Sequence, residues 1–376
     1  MSVVIIRRNS IVKVVFVVTL FVAMCKIKKQ VSVRFNLQDL ECYRYVDTTT
    51  LIKSIWTTEK IKDGHATYTM LDFEYEPKIK LYKNIVDDDP GPHIHITAPA
   101  VVVERFDVYN IYEMFHSLLN TYLVIRMFEL QDVVIVFNDT LGEDSPLNRE
   151  MFSVFSDTQI NLSLTGDRYL FLNGVYKVPV SFTSILSTVT KHGRLRGRSV
   201  DHHCKSTLLR DFTQFWIESN GLSPARTRTR ITWSSRGVHT RGVKMYTPSR
   251  SLVDEEQFVD ALRERTGLSI RVVDFGLLSA KESVQVALNT DVLMGVHGAG
   301  LMWSAFMVPG KSSVVELFGG DRSANNRHYH NVASLAGLRY FDVKHGLKSV
   351  LGKALKWDNN ERLLDQISAY LIDVAD

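Results

Sequence analysis

Histidine and glycines are gathered in one short stretch, Asp291-Val-Leu-Met-Gly-Val-His297-Gly298-Ala299-Gly300-Leu301. Asp291 to Val296 is an apolar run of the length of a buried parallel strand, and Leu301 to Met307 carries apolar residues on a helical stripe. Gly298 and Gly300 between them permit a sharp turn and a close approach of backbone to ligand. The first N–H groups of a following helix lack partners within it and point outward, which suits an anion. On spacing alone, a plain glycine turn beside a core histidine is the competing reading. The His-Gly-Ala-Gly run lacks the Gly-x-Gly-x-x-Gly spacing of a dinucleotide site, which weighs against an oxidoreductase.

The elements around this stretch alternate. Strands are expected at Arg230–Ser234, Ile270–Val273, Asp291–Val296, Ser313–Phe318 and Tyr340–Val343. Helices are expected from about Asp254 to Arg265, ending at Gly267, and over Ser283–Asn289, Leu301–Met307 and His328–Leu335. Such alternation predicts a parallel sheet covered on both faces, with ligands outside the carboxyl ends of the strands. Arg236, His297 and Glu316 all fall at such ends. Upstream, Val133–Phe137 reads as a buried strand, and Leu118–Arg126 and Leu208–Trp216 read as helices. A final helix from Glu361 to Val374 places Leu364, Ile367 and Leu371 on one face.

Composition narrows the class. The chain has 376 residues, enough for two ordinary domains, and a net charge of +4. The charge is uneven: residues 191–250 hold thirteen Lys or Arg against Asp201, Asp211 and Glu218. That segment attracts anions, yet no nucleic-acid-binding signature accompanies it, and a nucleotide diphosphate explains it with fewer assumptions. No Cys/His cluster suggests structural zinc, and Asp87-Asp-Asp-Pro reads as a solvated turn rather than a metal site.

At the N-terminus, Arg7 and Arg8 precede twelve positions without charge, Val14 to Cys25, and Lys26, Lys28 and Lys29 follow. The run fits the core of a signal peptide or a signal anchor, and either one directs the chain to the secretory pathway. The sequons at Asn138 and Asn161 agree with a luminal chain. Cys42 and Cys204 are then either free thiols or one disulfide.

The run Val-His-Gly-Ala-Gly-Leu, followed by Pro309-Gly310 and Val314-Val-Glu316-Leu-Phe318, resembles the signature of glycosyltransferase family 61. Cys204-Lys-Ser-Thr-Leu-Leu-Arg210-Asp-Phe212, Ile231-Thr-Trp-Ser-Ser-Arg236 and Arg250-Ser-Leu-Val-Asp-Glu-Glu-Gln-Phe-Val259 resemble other blocks of that family, in order. The resemblance runs from about residue 104 to 343. It implies a GT-B-like arrangement of two facing Rossmann-like domains with parallel sheets, behind an N-terminal signal anchor. Residues 1–30 would form the tail and anchor, 31–222 the acceptor-side domain and 223–376 the nucleotide-sugar domain. The implied activity is inverting transfer of GlcNAc or a pentose such as xylose from a UDP-sugar to a hydroxyl of a protein or glycan acceptor in the Golgi or endoplasmic reticulum lumen. No metal or other cofactor is expected. A catalytically silent member that binds glycan or nucleotide is the alternative.

Inverting transfer needs cations or aimed N–H groups for the leaving diphosphate and a base for the acceptor hydroxyl. Arg236, Arg241 and the backbone of His297, Gly298, Ala299 and Gly300 suit the first task, and Glu316 is placed to accept hydrogen bonds from the ribose. Arg250 is a further candidate, although Asp254 or Glu255 could pair with it. For the base, the resemblance points to Asp107 ahead of Asn110. Glu113 stands where the family has histidine, so Asp107, Glu113 and His116, one turn along, are all candidates.

Overall fold

The computed structural model describes residues 32–36, 56–62, 65–70, 75–81, 93–139, 141, 144–162, 169–178, 184, 186, 207–225, 230–241, 244–246, 249–319, 326–350 and 354–375. The leader, Cys42, Cys204 and the triple aspartate lie outside these residues, as does the side chain of Arg241. No helix among the described residues is long and apolar enough to cross a membrane.

Strands β1 (Ser32–Asn36), β2 (Trp56–Lys62) and β3 (His65–Met70) form a small antiparallel sheet in the order β1-β3-β2. A second sheet follows from β4 (Tyr75–Leu81), β5 (His93–Ile96) and β6 (Ala100–Val103). Helix α1 (Ile111–Met127) leads to β7 (Val134–Phe137), α2 (Pro146–Phe152) to β8 (Gln159–Asn161), and β9 (Tyr169–Lys177) completes the sheet. Its order is β4-β9-β6-β7-β8, with β5 also on β9, and only the β4/β9 pair is antiparallel. Ala-Val-Val-Val in β6 and Val-Ile-Val-Phe in β7 are buried at every position, as both-sided burial of a parallel strand requires.

Helix α3 (Thr207–Ser219) precedes the third sheet. This comprises β10 (Ile231–Ser234), then, after the β11 (His239–Arg241) and β12 (Lys244–Tyr246) hairpin and helix α4 (Glu255–Thr266), strand β13 (Ile270–Val273). Helix α5 (Ala280–Leu288), β14 (Val292–Val296), a 3-10 helix over Ala299–Phe306, β15 (Ser313–Leu317), α6 (His328–Ala336) and β16 (Arg339–Val343) continue the alternation. A short ribbon of β17 (Lys348–Ser349) and β18 (Leu355–Lys356) leads to α7 (Glu361–Ala375). All five strands of the third sheet are parallel, in the order β13-β10-β14-β15-β16.

Local signals explain the boundaries. Gly267 (φ 68°) and Gly337 (φ 73°) take the left-handed conformation that ends α4 and α6, which glycine adopts without steric cost. Helix α5 begins three residues earlier than the apolar pattern suggests, because Ser279 and Glu282 form a reciprocal capping box. Helix α1 begins at Ile111, seven residues earlier than its apolar run, because Asn110 caps it by accepting from the Tyr112 N–H. The segment after Gly298 is a 3-10 helix, beginning at Ala299. Leu301 to Phe306 are all buried, so this element has no solvent face, and the slimmer 3-10 winding suits a piece enclosed by neighbouring helices.

The parallel sheet expected from the alternation is present, and the other large sheet is parallel except at its β4/β9 pair. The helices on their facing sides do not form two separate cores. One apolar cluster runs from Val101, Ile135 and Phe137 of the second sheet through Phe115, Phe212, Trp216, Val284 and Phe306 to Leu293 and Val314 of the third. Phe306 lies edge-on to Phe115 at 5.7 Å and to Trp216 at 5.6 Å, which pins the 3-10 helix against α1 and α3. A second cluster, with Trp233, Phe258, Trp357, Ile367 and Leu371, lies between the third sheet and α4 and α7.

A polar clamp adds to this packing. Glu150 of α2 accepts from the Ala280 N–H at 2.7 Å and the Lys281 N–H at 2.9 Å, at the start of α5. A carboxylate there satisfies two otherwise orphaned donors and complements the helix dipole. Glu150→Ala should therefore lower unfolding stability by about 1 kcal/mol, and Glu150→Gln by less, in urea denaturation followed by far-UV circular dichroism. An unchanged midpoint and slope for Glu150→Ala would show that the clamp contributes nothing.

Candidate active site

Strand order places the site. The chain leaves β10 toward β13 on one side, and the neighbouring β14 continues toward β15 on the other. A crevice opens at the carboxyl ends of two such strands, and this is where open α/β sheets bind ligands. Arg236 lies two residues beyond β10 and His297 immediately beyond β14, so the sheet brings them to the same rim.

The glycines make room for what the rim carries. A Cβ on Gly298 would overlap the Arg236 guanidinium, and one on Gly300 would overlap Ser234 Oγ. Arg236 Nη1 reaches the His297 carbonyl oxygen at 3.5 Å. The loop that carries Arg236 is braced on both sides: Ser235 N donates to Val273 O at 2.8 Å, and Gly237 N donates to Asp274 Oδ2 at 3.0 Å. Ser235 Oγ and Trp233 Nε1 both donate to Glu255. A guanidinium therefore lies directly over the glycine turn, which makes the corner fit for an anion.

Glu316 stands behind His297. Gly295 pairs with Glu316 and Val296 with Leu317 across β14 and β15, so the carboxylate comes up beside the imidazole. Glu316 is 0 % exposed; one oxygen is hydrogen-bonded to His297 Nδ1 and the other accepts from the Tyr340 hydroxyl. Burial, followed by the Glu316 charge, raises the Tyr340 hydroxyl pKa, so it remains a donor. The imidazole is thereby held through Nδ1, which leaves Nε2 as the ring's other polar atom. Both Glu316 oxygens are thus engaged within the protein, one by His297 and the other by Tyr340.

The opposite wall comes from the loop before α1. Arg105 is buried over the Phe137 ring at 3.9 Å and ion-paired to Asp139 at 2.7 Å and Asp144 at 2.9 Å. Ser145 Oγ donates to Val108 O in the same loop. Asp107 Oδ1 accepts from the Tyr109 N–H at 2.7 Å and the Asn110 N–H at 3.0 Å, so the side chain folds back on its own turn. Glu113 differs: its Oε2 is buried without a hydrogen-bond partner among the described residues. Its pKa is pushed up to about 7, first by burial and then by the Asp107 charge.

His116 is fully buried, with Nδ1 against Ser184 Oγ at 2.8 Å, and burial followed by the proximity of His328 pushes its pKa down to about 3. It stays neutral near pH 7 and its side chain is enclosed in the core. The two walls meet through rings that the sequence did not single out. Tyr112 stacks on His328 at 4.3 Å and meets Tyr329 edge-on at 5.8 Å, while Tyr329 lies 5.3 Å from His297. The Tyr329 hydroxyl feels the charges of Glu316, Arg236, Arg250 and Glu113 together. The clustered His328-Tyr-His330 at the start of α6 was the available signal. Among the described residues, no group of three or more His, Cys, Asp or Glu could hold a metal ion. Of the two sequons, Asn138 is exposed and Asn161 is buried.

Residues 114–315, more than half of the chain, match the Glycosyltransferase 61 family. The chain is similar to proteins named EGF domain-specific O-linked N-acetylglucosamine transferase. It is 26% identical to that of Drosophila melanogaster over 65% of this chain and 45% of the relative, and 24% identical to that of Mus musculus over 67% and 46%. The Gallus gallus protein is 26% identical over 67% and 45%. The chain spans about half the length of these relatives. With the family's signature folded into the strand-end corner and matched across more than half of its length, the chain belongs to the glycosyltransferase 61 family.

Proposed function

We propose that this chain transfers a sugar from a UDP-sugar to a hydroxyl of a protein or glycan acceptor, with inversion at the anomeric carbon. The observation that carries the reading is the meeting of two walls at Tyr329, where the Glu113 carboxyl of α1, its Oε2 without a hydrogen-bond partner among the described residues, confronts the arginine and glycine corner. In the reaction, the acceptor oxygen forms a bond to the anomeric carbon as the bond to the diphosphate breaks. Glu113 takes the acceptor's proton, and the UDP leaves with the electron pair. Arg236 and the backbone around Gly298 to Gly300 stabilise the charge that develops on the diphosphate. No metal or other cofactor is required. The name shared by the relatives favours N-acetylglucosamine as the sugar and a secretory-pathway protein as the acceptor; xylose is the other donor to test. A luminal location and membrane attachment through residues 1–30 belong to the same proposal, with Asn138 as the accessible glycosylation site.

Glu113 is preferred to Asp107 as the base because its carboxyl has no competing hydrogen bond at Oε2 and titrates near neutrality, where a general base is most effective. Asp107 instead orders the loop and holds up the Glu113 pKa. A second reading, a member that binds donor or glycan without transfer, is favoured by the histidine-to-glutamate difference at position 113. Transfer from UDP-N-acetylglucosamine or UDP-xylose by the purified protein excludes it.

Glu113→Gln should lower turnover by about 10²–10⁴-fold while leaving UDP affinity nearly unchanged. Full turnover in this variant would place the base elsewhere. In the parent protein, activity should fall as pH drops through about 7, because the base must be ionised. Asp107→Asn should shift this limb to lower pH by removing the like charge, and an unmoved limb would show that another group titrates. The sign for stability is opposite. A carboxyl raised in the folded state contributes stability that is fully present below its unfolded pKa near 4.5 and is lost as pH rises through about 7. Glu113→Gln should remove that decline from a pH series of melting temperatures.

Arg236→Ala should weaken UDP binding by about 1.5–3 kcal/mol, the range for a hydrogen bond to a charged group. Calorimetric titration of the folded variant with unchanged affinity would remove Arg236 from the donor site.

A further inference from the structure

Arg250 lies in the turn between β12 and α4 with φ of 67°, in the left-handed region that a residue with a Cβ rarely adopts. Such strain persists only where the surrounding structure over-determines it, and it clusters at sites of function. Here the chain is tied down immediately afterwards. Leu252 bridges in parallel to Leu355, Leu355 N donates to Ser251 O at 2.8 Å, and Val253 N donates to Leu355 O at 2.9 Å. Leu355 in turn packs where a Cβ of Gly319 would lie, two residues beyond β15. The turn is therefore fixed at the carboxyl end of the third sheet, on the rim that carries Arg236 and His297.

The nearby carboxylates that the sequence offers to Arg250 are both committed elsewhere. Asp254 accepts from the Trp357 N–H at 3.0 Å and the Asp358 N–H at 3.1 Å, and Glu255 accepts from Trp233 Nε1 and Ser235 Oγ. Among the described residues, no hydrogen bond or ion pair engages the half-buried Arg250 side chain. Its charge and that of Arg236 both act on the Tyr329 hydroxyl between the two walls. A half-buried guanidinium held in a strained backbone, without a partner among the described residues, has the character of a group kept for a ligand.

We propose that Arg250 is a second guanidinium of the donor site, held by its strained turn to meet, with Arg236, the diphosphate of a nucleoside diphosphate sugar. The inference rests on the proposed donor site and adds a residue with a distinct signature. Because glycine adopts a positive φ freely, Arg250→Gly should remove strain and binding together. The test is calorimetric titration with UDP of the parent protein, Arg250→Gly, Arg250→Lys and Arg236→Ala, with the melting temperature of each recorded without ligand. Arg250→Gly should melt higher than the parent and bind UDP about 10–100-fold more weakly, with Arg250→Lys between the two in affinity. Parent-like UDP affinity in Arg250→Gly, alongside a loss in Arg236→Ala, would overturn the role of Arg250 and leave the donor site standing. No UDP binding by the parent protein at millimolar ligand would end both readings.

Discussion

The buried carboxylate of Glu316 is the constraint around which this site is built. A charge at 0 % exposure costs several kcal/mol unless it is paired and hydrogen-bonded, and here the imidazole of His297 and the hydroxyl of Tyr340 supply those partners. The three residues come from three adjacent parallel strands, His297 just past β14, Glu316 near the end of β15 and Tyr340 near the start of β16, so the pairing depends on the register of these strands. With His297 held from behind, the backbone turns at Gly298, and Arg236 from β10 occupies the space a side chain there would fill. Sheet order, buried charge and glycine turn are thus three aspects of one arrangement.

The opposite wall is held by a different device serving the same end. Arg105, paired with Asp139 and Asp144 beneath the surface, fixes the loop after β6, and Asp107 and Asn110 use their side chains to start α1. That start point sets which residues of the first turn face Tyr329. Glu113 does, and His116, three residues on, is turned into the core. The shared apolar cluster between the two sheets, with Glu150 bound to the start of α5, then holds the walls at a fixed separation. In this arrangement Glu113 and the Arg236 and Gly298 corner are both positioned by packing on two sides.

Much of this was legible in the sequence, for physical reasons that differ by residue. The apolar run before His297 and the glycines after it announce a strand and a turn because only that conformation buries the one and uses the other. Arg236 could be placed because a parallel strand delivers the residues just beyond its end to the carboxyl rim. Glu316 could be placed near a strand end, but its contacts with His297 and Tyr340 depend on which strands adjoin, and linear spacing does not encode that. His116 reads as a candidate base until the helix start at Asn110 fixes its facing. Tyr112, His328 and Tyr329 join the two walls through contacts across more than two hundred residues of chain, where no local pattern points. The Ser279 and Glu282 capping box was written plainly in the sequence, yet apolar periodicity alone starts that helix too late.

The proposed function puts nucleotide at the junction of the two walls, over the Gly298 turn. A crystal structure of the protein with UDP bound would test this most directly. The diphosphate should lie against the Arg236 guanidinium and the backbone of Gly298 to Gly300, with Glu316 still on His297 and the Glu113 carboxyl across the crevice. UDP bound elsewhere on the molecule, with the Arg236 and Gly298 corner empty, would contradict it.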